Sequence, residues 1–315
     1  MIIEAVEARA VTHLISPMDT PFMSNIKRTS ASQVKHEFQT DSLAAASSSN
    51  AQLEGDDAAT DTASVTNRLA NYCQILRKTP RVSGTLRATN TAGRRDELSY
   101  QISKAGRELK RDLESSLTSG NGATAGAASG ARTMAGLGAW LATNQVLAKN
   151  GSTAPTTGTT AVTTSGAPAA QVSGTAGTLL EADVKTAIAS CWSNGGDPSV
   201  IMVGSSAKQT ISGFSGIATQ YRDAQADPLK PGSIIGAADV YVSDFSSHQI
   251  VANRFQTAGN VYLLDMQYWE AAYLRPIQTQ DLSKTGDSDR KMILTEVTLA
   301  SLNEKASGIV CTVVT

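Results

Sequence analysis

Apolar residues fall at Leu98, Ile102, Ala105, Leu109, Leu113 and Leu117, in steps of four, three, four, four and four along one stretch of the chain. That spacing keeps one face of a helix apolar from end to end and predicts a helix over residues 96–116. At 1.5 Å per residue it would run roughly 30 Å, the width of a small domain. The other faces are assigned Lys104, Arg107, Glu108, Lys110, Arg111, Asp112 and Glu114. Within them, Lys104/Glu108 and Lys110/Glu114 have the four-residue spacing of exposed ion pairs. Gly120 and Gly122 end the helix.

On the N-terminal side, a short amphipathic piece over residues 2–15 breaks at Ser16-Pro17-Met18-Asp19-Thr20-Pro21. Two prolines this close exclude a helix there and predict an extended or turned arm. From Gln33, Val34, His36 and Phe38 alternate with Lys35, Glu37 and Gln39, the two-residue period of a half-buried strand. A second strand-like run covers residues 71–79. Between the two lies a polar excursion, 41–66, carrying Glu54, Asp56, Asp57 and Asp61 and too few large apolar residues to make a core. A long hairpin projecting from the body is the simplest geometry for residues 33–80; a disordered surface loop is the other.

Beyond the long helix, residues 120–138 are rich in small side chains, Trp140, Leu141, Val146 and Leu147 form a short apolar segment, and residues 151–177 are low in complexity and uncharged. Thr178 with Glu181 reads as a capping box for a helix whose buried face is Leu180, Val184, Ala187, Ile188 and Cys191. Strands are expected at 199–203, 240–242, 249–252 and 261–264, with a short helix at 205–211. That order describes an α+β unit around a central sheet. The tail contributes alternating residues 291–299 and an apolar run at 308–314, read as two strands paired with each other beside the long helix.

Composition narrows the function classes. The chain has 315 residues, 41% hydrophobic, with a formal net charge of -1, so it has the mass for a large core and no overall basic footprint for tight DNA binding. Aromatic residues are only 5%, and the heavy use of Ala, Gly, Ser and Thr favours backbone-to-backbone contact, which leans toward a structural protein. Cys73, Cys191 and Cys311 are scattered, which suggests buried thiols in a reducing compartment, with neither a disulfide framework nor a zinc site. No export signal or membrane-length apolar run is apparent, so a soluble, unsecreted chain is expected. The Gly-rich run 120–126 follows a helix and lacks a Gly-Lys-Ser/Thr, so it is no phosphate loop. His13, His36 and His248 are too dispersed for a Ser/His/Asp set and read as surface or satisfied polar residues, and Asp287-Ser288-Asp289 reads as a hairpin turn. No enzyme, cofactor or metal is expected.

Three local motifs sharpen this order of elements: Ile15-Ser16-Pro17-Met18-Asp19-Thr20-Pro21-Phe22; Asn71-Tyr72-Cys73-Gln74-Ile75 before Val82-Ser83-Gly84-Thr85; and Val251-Ala252-Asn253-Arg254-Phe255 followed by Leu263-Leu264-Asp265-Met266-Gln267-Tyr268-Trp269 and Tyr273-Leu274-Arg275-Pro276. Together they cover nearly the whole chain, and the sequence resembles the major capsid proteins of tailed bacteriophages, the Hong Kong 97 type of fold, in the subfamily typified by the phage SU10 major head protein. The resemblance implies an N-terminal arm (1–32), an extended hairpin loop and its return (33–89), a peripheral domain with the spine helix and Gly/Thr-rich segment (90–178), an axial domain (179–269) and C-terminal strands returning to the peripheral domain (270–315). It also implies a subunit that assembles with itself into pentamers and hexamers of an icosahedral head in the host cytoplasm. That head encloses double-stranded DNA without reading its sequence and has scaffolding, portal and decoration proteins as partners and no membrane. Because the arm is short, scaffolding is expected as a separate protein, or else a processed segment precedes this numbering.

Some capsids of this fold join subunits by a lysine-to-asparagine bond; with no lysine between Ser47 and Asp61, no such crosslink is expected. Cohesion is expected instead from Pro17, Pro21 and Phe22 of the arm, and from Glu54, Asp56, Asp57 and Asp61 set against Arg107, Lys110 and Arg111 of a neighbour's spine. One exposed pair contributes only about 0–1 kcal/mol, so many copies and backbone pairing would be needed, and the alternative is that both are solvated faces. An encapsulin-like compartment shell and a surface adhesin are the rival readings.

Overall fold

The structure, a computed structural model, describes residues 19–41, 43–51, 54–55, 57, 66–89, 96–148, 166–171, 177–214 and 239–311. Two sheets flank one long helix. The first has strand order β1-β11-β12-β4, with β5 pairing the far end of β12. These strands are β1 (Lys27–Ser30), β4 (Gln74–Lys78), β5 (Arg81–Ser83), β11 (Trp269–Asp281) and β12 (Ser288–Ser301). The second has order β6-β13-β10-β7-β9-β8, built from β6 (Gln145–Leu147), β7 (Val200–Val203), β8 (Val240–Val242), β9 (Ser247–Ala252), β10 (Asn260–Leu264) and β13 (Gly308–Cys311). A separate ribbon pairs β2 (Lys35–Thr40) with β3 (Asn67–Tyr72).

The helix stripe forms as its spacing predicts. The spine, α3, spans Glu97–Leu117; Asp96 caps it by accepting from Leu98 N, one of the donors a helix N-terminus leaves over. Leu98, Ala105, Leu109, Leu113 and Leu117 are buried. Its C-terminal half packs in the main core with Trp140, Tyr262, Trp269, Val297 and Leu299, while Ala105 and Leu109 pack with Ile293 of β12. A second core lies on the other face of the six-stranded sheet, under α5 (Glu181–Ser193) and α6 (Ser205–Ser212). The remaining short helices are α1 (Pro21–Asn25), α2 (Gly84–Ala88) and α4 (Leu137–Trp140).

Several expectations are corrected. A one-turn helix begins at Pro21, where a helix was excluded: at the first helical position proline's missing N–H costs nothing and its fixed φ suits the turn. The run 71–79 is two strands. It breaks at Cys73, with β3 staying in the ribbon and β4 crossing into the first sheet against β12. The cap of α5 is at Leu180, whose N–H donates to Asp183, a carboxylate three residues on doing the work assigned to Thr178 and Glu181. The two C-terminal strands do not pair with each other. β12 pairs with β11, β4 and β5, and β13 inserts between β10 and β6 of the other sheet. The strand β11 was not predicted; its residues Glu270, Arg275 and Gln278 interrupt any apolar alternation, and its pairing with β12 carries two register shifts. The six-stranded sheet takes four neighbouring strands, β10, β7, β9 and the edge strand β8, from 179–269 and is completed on the other side from 145–147 and 308–311. The low-complexity stretch 151–165 lies outside the described residues.

Candidate assembly surfaces

The first and third sequence motifs meet on the C-terminal half of the spine, and the residue that joins them is Glu114. Its carboxylate accepts from Phe22 N and Met23 N, each at 2.8 Å, and from Asn253 Nδ2 at 2.7 Å. The arm, the spine and the β9–β10 connection thus close on one side chain that has no solvent exposure. The spacing had set Glu114 on an outer face, paired with Lys110. It lies instead beside Leu113 and Leu117 on the buried stripe, and the signal available in the sequence was that adjacency. No cation contacts it among the described residues; burial pushes its carboxyl above the ordinary value, and the three donors recover part of that shift.

The second motif acts through amides. Asn71 donates to Leu299 O (2.7 Å) and Ala135 O (3.2 Å) and accepts from Ala135 N (2.9 Å), while Gln74 accepts from Met134 N. These bonds fasten the foot of the ribbon to the loop after the spine. Beside them, Glu296 of β12, 5% exposed, pairs with Arg132 (2.5 Å) and Arg275 (2.8 Å). The third motif places Trp269, whose indole donates to Ser307 Oγ at 3.1 Å and whose ring meets Phe22 edge-on at 6.3 Å. Asn71, Asn253 and Glu296 were not among the residues singled out for a role.

The ten residues expected at subunit contacts separate in the structure. Pro17, Asp56 and Asp61 lie outside the described residues. Phe22 is fully buried in the chain's own core, so its place among contact residues is corrected; Pro21 is half-buried at the start of α1. Glu54 and Asp57 are exposed, as is every described residue from 41 to 68. Arg107 and Lys110 are exposed on the spine and make no ion pair among the described residues. Arg111 is half-buried, its guanidinium 5.3 Å from the centre of the Phe255 ring, so part of its surface is already used within the chain. Of the proposed acid and base sets, Glu54, Asp57, Arg107 and Lys110 are the exposed members among the described residues.

Other candidate chemistry resolves as inert. Burial pushes the Cys73, Cys191 and Cys311 thiols up to about 11, 12 and 11, so all three are buried and protonated, as expected. His248 is buried with Ser243 Oγ and Pro198 O on its two ring nitrogens, a satisfied core histidine. Asp289 pairs with Lys284 and Arg87 at the β11–β12 turn, which holds its carboxyl below the ordinary range.

The comparisons with known proteins bear on the whole chain. A family model described as SU10 major capsid protein matches residues 7–315. The curated major capsid protein of Escherichia phage Phieco32 is 32% identical over 324 residues, spanning 95% of this chain and 91% of its own length. Among solved structures, the cyanophage A-1(L) capsid asymmetric unit is similar with a TM-score of 0.66 at 14% identity, over 99% of this chain and 97% of that one. Mycobacterium phage Bobi gives 0.58 at 12%, over 99% and 96%. At these identities the structural likeness speaks to the fold, which is that of phage capsid subunits of the Hong Kong 97 type.

Proposed function

The chain belongs to the SU10 major capsid protein family, and on that premise we propose how its copies close into a shell. It is a phage major capsid protein, a structural subunit that assembles in many copies into the capsid of the virion. The units of assembly are pentamers and hexamers. In them the ribbon of one copy lies across the next, setting Glu54, Asp56, Asp57 and Asp61 against Arg107 and Lys110 of the neighbouring spine, with Arg111 contributing the edge of its guanidinium. The arm around Pro17 and Pro21 leads toward a neighbour, while Phe22 anchors it to its own body.

The observation that carries this reading is the contrast along β2 and β3: the ribbon's foot is pinned by Asn71, and every described residue beyond it, from 41 to 68, is exposed. A two-stranded ribbon is marginal in water by itself, and burial against a second copy supplies what it lacks. The near-zero net charge suits a container for double-stranded DNA, because each phosphate contact would add a salt-sensitive attraction to the packaged strand. Scaffolding, portal and decoration proteins are the further partners, and assembly takes place in the host cytoplasm. Electron microscopy of the protein expressed alone and with its scaffolding protein, beside its sedimentation profile, tests the reading. Closed shells, tubes or capsomer rings are expected; a monomer that persists at high concentration with scaffold present would overturn it.

A further inference from the structure

β4 and β5 run against β12 in one unbroken register, with Arg77 opposite Leu294, Lys78 opposite Ile293 and Arg81 opposite Arg290. Ile293 packs on Ala105 and Leu109 of the spine, so Lys78, Asp289 and Lys291 share the spine side of this sheet, and Arg77, Arg81, Ser288 and Arg290 lie on the other. Charge on the spine side is paired: Lys78 with Asp112 at 2.8 Å, Lys291 with Asp281 at 3.0 Å, and Asp289 with Lys284 at 2.7 Å and with Arg87. The other side is not. Arg81 faces Arg290 directly across the pair, a like-charged juxtaposition that weakens a sheet. Arg77 and Arg81 are exposed and make no ion pair among the described residues. From Ser288 to Glu296, β12 gives this side one carboxylate, Glu296, which Arg132 and Arg275 already occupy. Arg290 Nε and Ser288 Oγ are buried and have no hydrogen-bond partner among the described residues.

Guanidinium groups without a counter-charge, beside buried donors without an acceptor, lack the same thing: an oxyanion. Every cation on this side is an arginine, whose planar fork matches two oxygens of one acidic group, while the lysines of the region lie in ion pairs on the spine side. Arg77 and Arg81 are four strand residues apart, about 14 Å, too far for one small anion to serve both. The ligand is therefore a chain of anions. A phosphodiester backbone carries one such group on every nucleotide, with oxygens free to accept from guanidinium and hydroxyl alike. We propose that the side of the first sheet facing away from the spine, along Arg77, Arg81 and Arg290, binds the phosphate backbone of double-stranded DNA. With three arginines in a chain whose net charge is -1, the contact is weak and independent of sequence. The inference rests on the DNA-enclosing function proposed above.

Fluorescence anisotropy of a labelled duplex, titrated with the unassembled chain over a salt series, tests the site apart from assembly. Three phosphates neutralised give a slope of about -2.7 in log K against log salt, so binding should weaken by about 40-fold between about 50 and 200 mM salt. It should be equal for duplexes of unrelated sequence. Arg77→Gln/Arg81→Gln, both sites being exposed, should keep the wild-type circular dichroism and thermal unfolding and flatten that slope by about two. The charge-matched control Lys104→Gln/Lys185→Gln should leave binding as it is. Inorganic phosphate should compete only as strongly as chloride of equal ionic strength, which separates a backbone from a free anion. No binding at low salt, an equal loss in both double variants, or capture of a peptide of residues 47–61 in place of the duplex would overturn the DNA-binding face. None of these results touches the shell-forming function, which fails only if the chain forms no shells.

Discussion

In the body of this subunit, β12 is hydrogen-bonded on both sides, to β11 along one edge and to β4 and β5 along the other, and Ile293, Val297 and Leu299 reach 0–3% exposure. In the ribbon, β2 pairs only with β3 among the described residues, its residues alternate between exposed and half-buried, and no described residue from 41 to 68 is buried. Around β12 the body closes its backbone bonds and buries its apolar surface within one chain. The ribbon pairs its two strands only with each other among the described residues and leaves every described residue from 41 to 68 exposed. The difference teaches that folding and assembly are divided along the sequence: one set of residues decides whether the subunit exists, another whether it meets its neighbours.

The sharpest way to break that division is to make like substitutions on either side of it. Leu113→Ala, at 0% exposure in the main core, should lower unfolding free energy by about 2–5 kcal/mol, while Leu43→Ala, 99% exposed in the ribbon, should change it by less than about 0.5 kcal/mol. Denaturant unfolding of the unassembled chain measures both; comparable losses would erase the distinction.

Next in size is the Glu114 junction. A glutamine there presents an amide N–H₂ where the carboxylate had an acceptor, leaving one of Phe22 N, Met23 N or Asn253 Nδ2 unpaired, so Glu114→Gln should cost about 1–3 kcal/mol. The pH dependence has a definite sign. Burial raises this carboxyl above its ordinary 4.5, so just above that pH the folded chain holds a proton that the unfolded chain has lost, and stability from this group falls as pH rises through the folded value. The cost of Glu114→Gln should therefore be largest at the acid end of that window and shrink above it; a cost that grows with pH would show that the three donors outweigh burial.

The smallest effect belongs to the surface charges. Arg107→Glu with Lys110→Glu should leave monomer stability within about 0.5 kcal/mol while weakening assembly, with the loss more marked at low salt, where exposed charge is least screened. Unchanged assembly over a salt series would mean that these faces are merely solvated.

How far the sequence reached depends on whether a feature has a local period. The spine was legible to within a residue or two because its stripe repeats over five turns, and β7, β8, β9 and β10 were legible as short apolar runs between turn residues. The partnership of β13 was not, since an apolar run does not say which sheet receives it; nor was β11, whose half-exposed middle breaks the alternation. Glu114 and Glu296 were missed for a common reason. A buried carboxylate reads as a surface residue until the donors from distant segments, Phe22 and Asn253 for one, Arg132 and Arg275 for the other, are brought against it. The contact residues divided likewise: exposure of Glu54, Arg107 and Lys110 follows from local polarity, whereas the burial of Phe22 depended on Trp269, far along the chain.

Hydrogen–deuterium exchange, compared between the unassembled chain and finished shells, tests the division between body and ribbon most directly. Amides of α3 and β12 should be protected in both states, and those of residues 43–51 should exchange freely in the unassembled chain and become protected in the shell. Equal exchange of residues 43–51 in the two states, or protection of α3 and β12 that appears only on assembly, would contradict it.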